Sequence, residues 1–194
     1  MSNVPNLLND DGTASIATAL MMSHHGFRRD LARFARALDQ IARGDGASAN
    51  AVRDEWQNFR ATLHGHHEAE DTGMFPNFAS QRPSLRATIE RLGADHRRID
   101  PHLALEEAEL IPLLRDAKDF PPPPTEEDLE MYAQGFAWAM DGIAPAVLEQ
   151  VYAMLPAPLC AKLPAARAAF ATRCERVWGA SKAGSSKTPF PDGV

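Results

Sequence analysis

The chain has 194 residues, 44% of them apolar and 24% charged, an ordinary balance for a soluble globular fold and too short for two large independent domains. Twenty lysines and arginines against 26 aspartates and glutamates leave a net charge of -6, which argues against a nucleic-acid-binding surface. No segment approaches the about 18 apolar residues of a membrane span. The start Met-Ser-Asn-Val-Pro-Asn, followed by Asp10 and Asp11, lacks the basic and apolar regions of a signal peptide, so a cytoplasmic protein is expected.

Residues 1–12 read as a loose N-terminus, with the first helix starting near Thr13 or Ser15. Ile16, Leu20, His24, Phe27, Leu31, Phe34, Leu38 and Ile41 then recur at intervals of three and four, one buried stripe on a long helix. His24 lies on that stripe. His25 is about 100° round, towards Arg28, Arg29, Arg33 and Arg36, a side expected to be solvated. Gly44-Asp45-Gly46 ends the helix.

A second helix from Ser48 or Asn50 carries Val52, Trp56, Phe59, Leu63, His66 and Glu70 in register, and Gly73 and Pro76 are expected to terminate it. Spaced four apart, His66 and Glu70 sit about 40° apart in azimuth and about 6 Å along the axis, so both can reach one metal ion. Their neighbours His64, His67, Glu68 and Asp71 fall off the stripe. A carboxylate on a buried face costs several kcal/mol unless neutralised, paired or metal-bound, so Glu70 needs a partner.

Arg82-Pro83-Ser84 opens a third helix with Leu85, Ile89, Leu92, His96 and Ile99 on its inner stripe. The His66–Pro76 pattern then partly repeats from His102 to Pro112, with Glu106 four residues after His102. His96 and His102, separated by Pro101, cannot share one face of a continuous helix: six residues leave them about 120° apart. A reversal at Ile99 to Pro101 is therefore expected. It would leave Phe34, Leu38, Ile41, Val52 and Trp56 short of cover. Either a segment is absent from this sequence or the C-terminal helices fill the vacancy, and the smooth pattern on both sides of the junction favours an absent segment.

Residues 119–125 form a proline-rich linker. Thr125, with Glu126, Glu127 and Asp128 after it, starts a helix with Leu129, Tyr132, Phe136, Met140 and Ile143. A shorter one follows from Pro145. Pro156, Pro158 and Pro164 punctuate the approach to a last helix that Gly179 ends, and the aromatic stripe of residues 126–179 reads as packing. Cys160 and Cys174 read as reduced, packed thiols, and residues 180–194 as a disordered tail.

The expected architecture is all-α: an up-and-down antiparallel four-helix bundle over residues 13–118, plus C-terminal helices. Within it His24, His66 with Glu70, His96, and His102 with Glu106 each fall on or beside the inner stripe of a different helix. Imidazoles and carboxylates without thiolate favour a pair of octahedral ions over one tetrahedral zinc, and two irons are the leading choice.

These stretches resemble the hemerythrin-like, or HHE cation-binding, family. The resemblance covers about residues 13–118: His24 with Phe27-Arg28-Arg29-Asp30-Leu31, the run His66 to Pro76, the run Asp95-His96-Arg97-Arg98-Ile99-Asp100, and the run His102 to Leu114. It implies a four-helix bundle around a non-haem di-iron centre, with His66 and His102 as terminal ligands, Glu70 and Glu106 as bridges, and further ligands from His24 and His96. Asp100 stands where the family often has a second third-helix histidine. The family also normally has a few tens of residues between its third and fourth motifs, more than this chain has. The resemblance further implies binding or sensing of dioxygen, nitric oxide or a related small oxidant. An enzyme that decomposes peroxide or reduces nitric oxide, and a purely structural metal site, are the alternatives. Protein partners are not indicated.

Overall fold

The computed structural model describes residues 6–44, 48–94 and 99–179, and among these no strand is present. Eight stretches of α-helix follow in order: α1 Ile16–Arg43, α2 Ala49–Ala69, α3 Phe75–Gln81, α4 Arg86–Ala94, α5 Ile99–Glu109, α6 Glu126–Ala139, α7 Pro145–Met154 and α8 Ala157–Trp178. α1 packs against α2 and α6, and α8 packs against α2 and α6. No helix among the described residues is long and apolar enough to cross a membrane.

The helix limits follow local chemistry. The Ser15 amide donates to Thr18 Oγ1 at 3.1 Å, and the Ile16 amide donates to the Ala117 carbonyl, tying the start of α1 to the segment after α5. Gly44 closes α1 in the left-handed region at φ 78°, its amide reaching the carbonyls of Gln40 and Ile41. Ser48 caps α2 by accepting from the Ala51 amide, and Thr125 caps α6 by accepting from the Asp128 amide.

Three expectations are corrected. Gly73 and Pro76 do not stop the second helix. A π turn, Glu70–Met74, carries α2 straight into α3, with the Phe75 amide bonded to the Glu70 carbonyl five residues back. Pro76 is tolerated because it falls in the first turn of α3, and beyond it Phe75 and Phe78 are buried. The reversal placed at Ile99 to Pro101 is also not there: these residues form the first turn of α5, where a proline lacks no needed amide. Lastly, the C-terminal helices themselves cover the outer halves of α1 and α2. The rings of Phe34 and Trp178 meet edge-on at 5.1 Å, and Arg173 of α8 pairs with buried Glu55 of α2 at 3.3 Å. Cover is incomplete at the far end, where Leu38 is 60% and Trp56 39% exposed.

The arginine side of α1 is corrected as well. His25, Arg29 and Arg33 are buried, because α6 lies along that face. Asp30 collects Arg29 Nε at 2.8 Å, Arg33 Nη1 at 3.1 Å and the Trp138 indole N–H at 2.7 Å. Arg29 also donates to the carbonyls of Trp138 and Asp141, and Arg33 to the Asp141 carboxylate, so two cations hold the C-terminal end of α6, where the helix dipole favours them. Gly26 makes the approach possible. A Cβ there would lie 2.6 Å from the Trp138 ring.

Candidate metal centre

Three elements meet in the bundle interior. α1 contributes His24; the junction of α2 with the π turn contributes His66 and Glu70; α5 contributes His102 and Glu106, one turn apart. His24 and Glu106 are 0% exposed, His102 1% and Glu70 2%. His24 Nε2 lies 3.3 Å from Glu106 Oε2, His66 Nε2 2.9 Å from Glu70 Oε1, and His102 Nε2 3.7 Å from Glu70 Oε2 and 3.6 Å from Glu106 Oε2.

These contacts are close in distance but not aligned as hydrogen bonds. Both oxygens of Glu70, both of Glu106, and Nε2 of His24 and of His66 have no hydrogen-bond partner although each is buried. Two carboxylates removed from water without hydrogen bonds cost several kcal/mol each unless a cation compensates them. One donor atom from each of His24, His66, Glu70 and Glu106 lies within 4.8 Å of the others, and the same holds for His67, Glu70 and His102. Glu70 belongs to both groups. Nitrogen and oxygen donors converging on one space fit transition-metal ions.

The electrostatics agree. Burial alone would push the Glu70 carboxyl up, but His102 and His66 beside it outweigh that and hold it at about 2. Burial would push His24 down, yet Glu106 and Glu107 raise it above the usual imidazole range. Both shifts come from imidazoles and carboxylates held side by side in a buried space, an arrangement a cation would join. Behind His24 stands Glu107, whose Oε1 accepts from His24 Nδ1 at 3.0 Å and from Arg28 Nη1 at 2.6 Å. With Nδ1 so engaged, Nε2 is the ring nitrogen of His24 left facing the centre, the one that would offer its lone pair to an ion.

The structure therefore brings His24, His66, Glu70, His102 and Glu106 together, while His96 lies outside the described residues, as does the side chain of Asp100. His25 turns away from the centre and places Nε2 3.3 Å from the Asp141 carbonyl. Two further residues lie at this cluster: His67, which the sequence pattern set aside as off the stripe, and Glu107, which it did not single out. His67 precedes Glu70 by three residues, a spacing that shares a helix face as four does, so the signal was present. Glu107 had none, because its partner His24 is 83 positions away.

Residues 15–138, well over half of the chain, match the hemerythrin HHE cation-binding domain. The chain belongs to this family. Comparison with curated proteins and with solved structures gives no match. The hemerythrin HHE domain binds metal cations, commonly iron, in accord with the donor set of the bundle. In this member the matched region runs past Lys118 to Trp138, taking in the proline-rich linker and α6.

Proposed function

We propose that this hemerythrin-like protein holds two non-haem irons and binds or senses dioxygen, nitric oxide or a related small oxidant. The observation that carries the two-ion reading is Glu70: its Oε1 faces His66 while its Oε2 faces His102, the arrangement of a carboxylate shared between two ions. In this reading His24 and His66 serve one ion and His102 the other. Glu70 and Glu106 lie between them, and His96 joins on the strength of the family resemblance. When bound, the irons supply one-electron redox chemistry and a coordination position for a small ligand.

The chain's own residues set the conditions for that chemistry. Glu107 fixes the His24 ring, and Arg28 fixes Glu107. The Phe27 ring, centred 5.0 Å from the His66 ring, closes that side with an apolar wall. The burial of His24, His102, Glu70 and Glu106 keeps bulk water from the donors, which strengthens every charge interaction among them. Cys160 and Cys174 are both free thiols, which suits a reducing cytoplasm.

The test is iron content together with absorption spectra of the reduced protein exposed to dioxygen, nitric oxide and peroxide. Two irons per chain and a stable, reversible adduct are expected. Steady turnover of peroxide or nitric oxide would make it an enzyme instead, and an inert spectrum would leave the metal a structural role.

A further inference from the structure

His67 stands next to Glu68 and four residues before Asp71, and differs from both in burial. Glu68 and Asp71 are exposed. His67 is half-buried, its ring centre 5.2 Å from that of His102 in an edge-on arrangement at 84°. A ring nitrogen of His67, one of His102 and a carboxylate oxygen of Glu70 all lie within 4.8 Å of one another.

Helix geometry explains the convergence. At 100° per residue, His66 comes to rest about 40° to one side of Glu70, and His67 about 60° to the other. The helix thus presents one carboxylate flanked by two imidazoles that diverge by about 100°, too far apart to serve a single ion in common but well placed to serve two. The imidazoles across the interface divide the same way: the ring of His24 lies 5.6 Å from that of His66, and the ring of His102 5.2 Å from that of His67.

We propose that His67 is a metal ligand of this centre, binding the second ion together with His102 and sharing Glu70 with the first. The inference rests on the two-ion reading and deepens it. It makes the two positions chemically unequal in the donors that converge most closely: His24, His66, Glu70 and Glu106 at the first, His67, His102 and Glu70 at the second, with Glu106 Oε2 also 3.6 Å from His102 Nε2. The second set is the donor combination of non-haem Fe(II) sites.

The experiment loads the full-length protein with Fe(II) without oxygen and counts ions per chain for the native chain, His67→Gln and His64→Ala, the last being an exposed histidine on the same helix. Native protein and His64→Ala should each hold two ions. His67→Gln should hold one tightly and bind the second 10- to 100-fold more weakly, with an unchanged far-ultraviolet helix signal. Two ions of native affinity in His67→Gln overturn the His67 assignment and leave the two-ion reading standing, whereas a native chain without iron overturns both. Should His67→Gln not fold, nitrogen-15 spectra of the native histidines titrated with zinc decide: a ring nitrogen of His67 shifts on ligation, and an unmoved one refutes the proposal.

Discussion

Glu107 never needs to touch an ion to matter. It accepts the His24 Nδ1 proton and is itself held by Arg28, so the orientation of a donor on α1 depends on a carboxylate of α5. Replacing Glu107 by Gln keeps its size and removes its charge; metal affinity should fall about 10- to 100-fold by equilibrium dialysis, with the unfolding midpoint of the metal-free protein little changed. Gly26 is the opposite kind of residue, one whose value is the absence of a side chain. In a helix interior Ala is normally better than Gly by about 1 kcal/mol. Here the added carbon would collide with the Trp138 ring, so Gly26→Ala should instead destabilise by about 1 to 3 kcal/mol in urea unfolding.

Among the elements, the pairing of α1 with α6 is decided by polar groups in a dry interface. Asp30, Arg29, Arg33 and Asp141 form a continuous network, with Arg29 also 5.6 Å over the Trp138 ring. A buried network is costly to leave half-made, so Asp30→Asn, which removes one of the two carboxylates facing two buried guanidinium groups, should cost about 3 to 5 kcal/mol by denaturant titration. The sequence reading treated these arginines as solvated because periodicity divides a helix into a wet and a dry side. α1 has two dry sides, one against α2 and α5 and one against α6. The π turn is the other element-scale lesson. Gly and Pro normally punctuate helices, but here the chain widens by one amide spacing after Glu70 and goes on, and such turns recur at functional sites.

On the scale of the whole molecule, acid should act through the same interface. Burial, with Arg29 nearby, holds His25 down at about 4, so it folds neutral and must gain a proton on unfolding below pH 6.5. Its contribution is therefore complete above about 6.5 and lost as pH falls towards 4, about 3 kcal/mol over that window. Asp30 acts in the same direction lower down: burial opposes its charge, but Arg29, Trp138 and Arg33 outweigh that and keep it below the usual carboxylate range. Urea midpoints of the metal-free protein at pH 7 and pH 4.5 should differ strongly in the native chain and less in His25→Gln. Truncation after Lys118 should expose Gly26, Phe27 and Phe34 where Trp138 and Trp178 now pack; loss of cooperative unfolding is expected, measured by calorimetry.

The all-helical class and the family resemblance were legible in the sequence, as was the inward placement of His24, His66, Glu70, His102 and Glu106, which the fold brings together; His96 lies outside the described residues. Helical periodicity and the four-residue His–Glu spacing are local, and a buried carboxylate announces a need that local pattern can register. What only the tertiary structure decided was the company each residue keeps: His24 with Glu107, Asp30 with Trp138, Phe34 with Trp178, His67 with His102. Each pair joins positions at least 35 residues apart, and no spacing along one helix encodes which face of another will arrive against it.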